Sequence, residues 1–211
     1  MSIPPPHDPG NHGFDAEPRI LVVTAHPAGA SLTRAIATTI MQAAEINGCG
    51  TEVADLVAEG FDPVFGPADH AAFALGGVTP EDVRTEQRRI DRSDHLVLVY
   101  PVYWWAMPAL LKGWIDRVFI AGWAFDEDAD GDIAKRLDRL SISLVAVAGA
   151  TRATYDRRGY REAMRVQIET GIFDFCGAPV VSSQLVTPDR MAEPSALDDI
   201  ARTTLAQIVA R

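Results

Sequence analysis

The chain alternates between short apolar runs and longer segments whose apolar residues recur every three or four positions. The runs are typical of strands buried on both faces, and the spaced segments are typical of amphipathic helices. We predict strands at 19–25, 51–56, 95–101, 140–148 and 178–185. We predict helices at 31–46, 79–92, 107–120, 160–175 and 195–211.

Local signals mark the ends of two of these helices. Ser31 has the side chain of an N-cap for the first helix, and Asn47-Gly48 is a typical stop. Thr79 is predicted to cap the second helix, followed by a proline in the first turn. Residues 57–78, rich in Gly and Pro, are predicted to be irregular, and a loop of that length usually has a function.

The β-α alternation predicts an α/β fold with a parallel sheet, helices on both faces and right-handed crossovers. In such sheets ligands bind beyond the carboxyl ends of the strands, near a topological switch point. Three loops that follow strongly apolar strands are therefore candidates for chemistry: 25–31, 100–107 and 148–159.

Composition narrows the class of protein. With 211 residues, 47% of them hydrophobic, the chain has enough core for one domain. Its net charge of -10 makes nucleic acid an improbable partner, and no apolar run is long enough to insert into a membrane. Residues 1–18 contain five prolines and no secretory pattern, so we expect a mobile extension on a cytoplasmic protein.

The two cysteines, Cys49 and Cys176, are too far apart in sequence for a zinc ribbon or a disulfide framework. Two buried free thiols are favoured, although one bridge between them stays open. The acidic segment 126–133 follows the start of an EF-hand loop, but Leu137 takes the place of the twelfth ligand. We interpret it as a solvated acidic turn and predict no metal site.

The first candidate loop places an imidazole and two hydroxyls, from His26, Ser31 and Thr33, at the start of a helix. Free N–H groups and the helix dipole favour an anion there, such as a phosphate or pyrophosphate. Neither the Walker pattern nor the dinucleotide glycine fingerprint occurs in this loop. The alternative is that Ser31 is only a cap and His26 only a loop residue.

The second loop carries Trp104 and Trp105 directly after a buried strand. Their rings are suited to a flat conjugated ligand, and the amides of Val102 to Trp105 could donate to its rim. The alternatives are a hydrophobic plug against the following helix and a dimer surface, and the plug is preferred for Trp114 and Trp123.

The third loop offers Gly149 for close backbone approach and Tyr155 as a proton donor. An arginine cluster follows, and a guanidinium is a fixed cation that cannot shuttle protons at neutral pH. Arg157 and Arg158 could equally be solvated loop charges.

Together, residues 20–33, 55–65 and 93–125 resemble the flavodoxin-like NAD(P)H:quinone oxidoreductases, and the stretch 100–125 is the most specific part. The resemblance implies a doubly wound five-stranded parallel sheet of order 2-1-3-4-5 in three layers. It also implies that residues 19–211 form a single flavin-binding domain, assembled as a homodimer with the active site at the subunit interface.

The resemblance also implies roles for particular residues. Phosphate-side flavin contacts are expected at His26, Ser31, Leu32 and Thr33. Contacts along the isoalloxazine ring are expected at Pro101, Val102, Tyr103, Trp104 and Trp105, and at its pyrimidine edge at Ala148, Gly149 and Ala150. Tyr155 matches the family's active-site tyrosine, whereas Arg161 stands where the mammalian enzymes have a histidine.

The implied reaction is hydride transfer from NADH or NADPH to the flavin and then two-electron reduction of a quinone, with nitro and azo compounds as further candidate acceptors. One shared site for both substrates implies ping-pong kinetics. FAD is favoured over FMN by resemblance alone. The alternatives are an electron-carrier flavodoxin, which the acidic charge fits, and a regulatory flavoprotein subunit of an ion-transport system.

Overall fold

The computed structural model describes residues 17–128 and 130–208, so most of the proposed extension at 1–18 and the last three residues of the predicted final helix lie outside the described part. The strands of the described residues are β1 (Arg19–Thr24), β2 (Gly50–Asp55), β3 (His95–Pro101), β4 (Phe125–Glu127), β5 (Ile133–Lys135), β6 (Ser141–Val147) and β7 (Val180–Val186). The helices are α1 (Leu32–Ile46), α2 (Pro67–Leu75), α3 (Glu81–Asp91), α4 (Ala109–Val118), α5 (Arg152–Arg158), α6 (Tyr160–Met164) and α7 (Ala196–Leu205). A π-helical segment, Arg165–Asp174, continues α6.

Five strands form one parallel sheet in the order β2-β1-β3-β6-β7. Numbered by themselves, they have the predicted order 2-1-3-4-5. The strands β4 and β5 form a separate antiparallel hairpin that the sequence pattern did not indicate. The acidic segment is the turn of this hairpin, where the Asp128 carboxylate accepts the N–H groups of Asp130 and Asp132 at 2.9 and 3.0 Å.

Side chains of the central strands alternate between two hydrophobic clusters, as a sheet buried on both faces requires. Leu21 and Val23 belong to a cluster that includes residues of α3 and α4. Ile20 and Val22 belong to a second cluster with residues of α1 and α7. The apolar runs therefore indicated the strands correctly because each run serves both clusters.

Three local predictions are wrong. Residues 57–78 are not irregular throughout, because α2 begins at Pro67. The stretch 148–159 is not a loop throughout, because α5 occupies its second half. Thr79 does not cap α3, since Pro80 takes the cap position and no side chain accepts a bond there. Ser31, by contrast, caps α1 as predicted, accepting the N–H of Arg34 at 3.2 Å.

The segment before α2, which includes Asp62 and Pro63, packs closely against α4. The buried Arg117 guanidinium pairs with Asp69 at 2.9 Å and with Asp82 at 2.7 Å, and it donates to the carbonyl of Asp62 at 2.7 Å. A Cβ at Gly113 would lie 2.5 Å from the Cβ of Pro63, so only glycine permits this approach. Ionic and steric constraints together hold this segment in place.

Both cysteines are buried free thiols, as favoured from the sequence. Burial raises the pKa of Cys49, and it raises that of Cys176 to about 11, so both thiols stay protonated at neutral pH. In the described part of the chain, no helix combines the length and apolar character that crossing a bilayer requires. That same part holds no cluster of three or more His, Cys, Asp or Glu side chains placed to bind a metal ion.

Candidate active site

The three candidate loops meet at one edge of the sheet because β1, β3 and β6 are adjacent and parallel. Thr24 pairs with Val99, and Pro101 pairs with Val147. The Val102 N–H extends the second contact by donating to the Val147 carbonyl at 2.8 Å. Since β2 and β3 flank β1 on opposite sides, the carboxyl ends of β1 and β3 form the switch point where ligands of such sheets bind.

The first loop presents hydrogen-bond donors at the start of α1. The His26 ring folds back on Ala28, with Nδ1 3.1 Å from the Ala28 nitrogen and 3.3 Å from the Ala28 carbonyl oxygen, and Nε2 takes no part in this contact. No acidic residue lies in the first turn of α1, so the helix dipole is not offset there. Leu32 is exposed, but the Thr33 side chain is buried, so we expect its backbone N–H, rather than its hydroxyl, to face an anion.

The second loop is a tight turn with a costly backbone. Tyr103 and Ala106 exchange two backbone hydrogen bonds of 3.1 Å, and the two residues between them have φ of 49° for Trp104 and 61° for Trp105. Such left-handed conformations cost about 1–2 kcal/mol for a non-glycine residue. Among the described residues these two alone combine a side chain with positive φ. Strain of this kind concentrates at binding sites.

The two tryptophans of this turn have different surroundings. Trp104 is 92% exposed, an unusual position for the largest side chain. Trp105 is half-buried; its ring stacks on Tyr160 at 3.8 Å and 14° and meets the edge of Tyr155 at 5.3 Å. Three aromatic rings thus form one wall beside the turn, with Trp104 standing free at its rim.

A pocket of about 210 Å³ lies against this wall. Its lining residues come from the second and third loops and from α5: Val102, Trp104, Trp105, Gly149, Ala150 and Tyr155. A Cβ built on Gly149 would meet no atom within 4 Å, so the pocket is open above this residue. The structure thus brings together residues that the sequence analysis took from separate loops.

The remaining predicted site residues lie outside this pocket. Pro101 and Ala148 are buried at the strand ends beside it, and Tyr103 is exposed in the turn. His26, Ser31, Leu32 and Thr33 lie at the neighbouring end of β1 and the start of α1. Arg161 is exposed and lines a second, larger cavity that shares Tyr155 with the pocket.

Tyr155 is the buried polar group of the site. Only 1% of it is exposed, and burial raises the pKa of its hydroxyl, which therefore keeps its proton at neutral pH. It is held on α5, whose first N–H, that of Arg152, is accepted by Asp189 at 3.4 Å. Asp189 follows β7, in a fourth loop at the same edge that the sequence analysis did not consider.

Sequence reasoning also missed Tyr160, because its contact with Trp105 is long-range. The available signal was weak: a second tyrosine five residues after Tyr155, with Gly159 between them at φ 70°. That glycine ends α5 and redirects the chain into α6, which brings Tyr160 back against Trp105.

Comparison with known proteins agrees with this architecture: a family model described as the flavodoxin-like fold matches residues 18–209. The chain belongs to this family. An uncharacterized NAD(P)H oxidoreductase of Haemophilus influenzae is 29% identical over 90% of this chain and 92% of its own length. NAD(P)H dehydrogenase [quinone] 1 of Cavia porcellus is 29% identical over 79% of this chain and 67% of its own.

A solved structure of a quinone oxidoreductase also has this fold. The NAD(P)H:quinone oxidoreductase from Methanothermobacter marburgensis superposes with a TM-score of 0.79 at 26% identity, over 90% of this chain and 98% of that one. The resemblance to the flavodoxin-like quinone oxidoreductases, inferred from the sequence, is confirmed. In this flavodoxin-like chain, the pocket at the carboxyl edge is therefore the candidate active site.

Proposed function

We propose that this protein is a flavin-dependent NAD(P)H oxidoreductase that reduces quinones by two-electron hydride transfer. One observation supports this above the others: two consecutive tryptophans are held in a strained turn at the switch point, facing the open backbone of Gly149 and Ala150. A packing role does not account for a strained turn whose first tryptophan is almost fully exposed.

The residues present fit a flavin. Trp105 and Gly149 lie on the same pocket, with an aromatic ring from one and open space above the other. The start of α1, with its free backbone N–H groups and the Ser31 hydroxyl, provides donors for phosphate at the neighbouring strand end. The chemistry that a bound flavin supplies is the storage of a hydride taken from NAD(P)H until an acceptor arrives.

In this scheme the chain's own residues orient the flavin and the substrates and supply the proton. Backbone N–H groups of Trp104, Trp105, Gly149 and Ala150 would bind the ring's heteroatoms. The N–H groups of Val102 and Tyr103, which the sequence also suggested, are instead bonded to the carbonyls of Val147 and Ala106. Tyr155, whose hydroxyl retains its proton at neutral pH, is the proposed proton donor. Arg161 makes no ion pair within 4 Å with a described residue, and we propose that its fixed charge stabilises negative charge formed during reduction.

Further details of the proposal follow from the family likeness. One pocket serving both substrates in turn gives ping-pong kinetics, with quinones as acceptors and nitro or azo compounds as further candidates. FAD is the proposed flavin, with FMN as the alternative. We treat residues 19–211 as one flavin-binding domain with three layers, and we place the enzyme in the cytoplasm, where NAD(P)H is available.

We also propose that the protein is a homodimer whose active site lies at the subunit interface. Exposed aromatic side chains support this: Tyr103 and Trp104 in the turn beside the pocket, and Phe65, Phe73 and Phe175 around a second, apolar groove. A second copy that covers these residues would complete the walls of the pocket. Size-exclusion chromatography with light scattering tests the dimer directly.

The experiment for the function is an absorbance spectrum of the purified protein, followed by mass spectrometry of whatever heat releases and NADH and NADPH oxidation with a simple quinone. A flavin spectrum with rapid quinone-dependent oxidation supports the enzyme. A flavin spectrum without such oxidation favours the electron carrier, which the net charge of -10 fits, or the regulatory subunit. Intersecting double-reciprocal plots would contradict the ping-pong order.

Two substitutions test the proposed roles in this reaction. Tyr155→Phe removes the proton donor, and Arg161→Ala removes the fixed charge. We expect both to lower kcat for quinone reduction, by roughly a hundredfold for Tyr155→Phe if it is the direct acid. Unchanged flavin reduction and quinone turnover in both variants would remove these assignments.

A further inference from the structure

A second cavity, of about 540 Å³, shares Tyr155 with the active-site pocket. Its apolar floor comes from β6 and from the π-helical segment, including Leu144, Ala146 and Ile168. π-Helical turns occur often at functional sites, and this one forms a wall of the cavity. Tyr155 therefore lies between the active-site pocket and this second cavity.

A second tyrosine opens into the same cavity. Tyr100, at the end of β3, is 1% exposed, and neither its hydroxyl nor that of Tyr155 bonds to a described residue. Nevertheless, the described residues leave no fully buried side-chain polar atom without a partner. Water can therefore reach both hydroxyls, that of Tyr100 from this cavity and that of Tyr155 from this cavity or from the active-site pocket.

Some of the charged side chains that line the cavity form ion pairs, and others do not. Glu162 on α6 pairs with Arg165 of the π-helical segment at 2.7 Å, and Asp156 on α5 pairs with Arg152 at 3.5 Å. Glu169, half-buried on the π-helical segment, makes no ion pair within 4 Å among the described residues, and neither does Arg161. Burial, and then the nearby Glu169 and Tyr155, raise the pKa of Tyr100.

We propose that this cavity is the route by which protons reach the active site, with Glu169 and Tyr100 as positioning residues that keep Tyr155 supplied. This inference rests on the proposed function. Arg161 lines the same cavity but cannot act as the relay, since its guanidinium keeps its proton at neutral pH. The Glu169 carboxylate, which makes no ion pair within 4 Å among the described residues although Arg165 acts on it electrostatically, is the proposed relay.

The proton balance of the proposed reaction requires such a route. NAD(P)H, a quinone and one proton from solvent give NAD(P)⁺ and the hydroquinone. The O–H bond of Tyr155 breaks as an O–H bond forms on the reduced acceptor, and the tyrosinate then takes a proton from cavity water. Glu169 collects that proton from bulk water and passes it to the water chain that Tyr100 orders.

The first test measures the cluster without using activity. The protein has four tyrosines, so carbon-13 labels on the phenol carbons give four resonances that can be compared at neutral pH between variants of the purified full-length chain. Glu169→Gln should shift the resonance of Tyr100, assigned with Tyr100→Phe, because it removes a charge that acts on this phenol. Glu162→Gln, which removes a paired carboxylate of the same cavity, should leave it in place. An unmoved Tyr100 in Glu169→Gln overturns the proposal.

The second test separates the two halves of the reaction by stopped flow. Glu169→Gln and Tyr100→Phe should slow the reduction of quinone by about tenfold, less than the loss of a direct acid, and more at higher pH. Reduction by NAD(P)H, flavin content and melting temperature should not change. If the wild type is active and both variants reduce quinone at the wild-type rate, the proton route is overturned and the proposed function stands. A wild type without quinone activity overturns the proposed function and the route with it.

Discussion

Four tryptophans lie within twenty residues of the chain, and two of them, Trp104 and Trp114, have opposite surroundings. Trp114 is 0% exposed, its Nε1 donates to Glu86 at 2.9 Å, and its ring meets Phe119 edge-on. Trp104 is 92% exposed and lies in a left-handed backbone. The first arrangement lowers the free energy of the fold, and the second raises it. This difference supports the proposal that Trp104 and Trp105 serve a ligand, whereas Trp114 packs in the core.

The largest expected effect separates these two residues by stability. Trp114→Ala should destabilise the protein by about 3–5 kcal/mol, because it leaves a large cavity and removes one donor from the buried Glu86 carboxylate. Trp104→Ala should change stability by no more than about 0.5 kcal/mol. Urea unfolding of both variants measures this. Equal losses of unfolding free energy in the two variants would show that Trp104 also stabilises the fold.

Two glycines sharpen the same comparison. Gly113→Ala should cost about 1–3 kcal/mol, because its Cβ would clash with Pro63 and displace the segment that Arg117 holds. Gly149→Ala meets no atom within 4 Å, so stability should not change, but the added methyl should weaken flavin binding. Thermal melts and a flavin titration of each variant test this. A loss of stability in Gly149→Ala would contradict the description of an open pocket.

Relief of strain is the next expected effect. Trp104→Gly should stabilise the protein by up to about 1 kcal/mol, because glycine adopts the φ of 49° without a steric cost. The same variant should bind flavin or quinone more weakly, since the ring at the pocket rim is lost. Chemical denaturation alongside the KM for quinone measures both. A destabilised Trp104→Gly would mean that the turn is not strained.

The fold was largely predictable from the sequence, whereas the site was predictable only in part. Apolar runs such as that of β3 identify strands because burial on both faces leaves no other pattern. The helix that carries Tyr155 was missed because it is short, polar and ended by Gly159. The left-handed φ of Trp104 and Trp105 has no signal in the residue types, since tryptophan does not favour that region and the turn is closed by backbone pairing between Tyr103 and Ala106.

The smallest expected effect concerns pH and Tyr155, the buried residue beside the exposed pair. Burial raises the pKa of Tyr155, so above about pH 10 the unfolded chain ionises first and the folded state loses stability as pH rises. Tyr155→Phe should therefore lose less stability than the wild type between about pH 9 and 11. Unfolding curves across this range measure it, and parallel curves for both proteins would show that Tyr155 is not desolvated.

Equilibrium binding of FAD to the flavin-stripped protein, followed by flavin fluorescence, tests the central claim most directly. The wild type should bind one FAD per chain, and Trp105→Ala should bind about fivefold more weakly, since stacking on one aromatic ring contributes about 1 kcal/mol. Trp123→Ala, which alters a tryptophan packed on Phe119 away from the pocket, should bind like the wild type. No saturable binding, or equal affinity in all three proteins, would contradict the assignment of this pocket to a flavin.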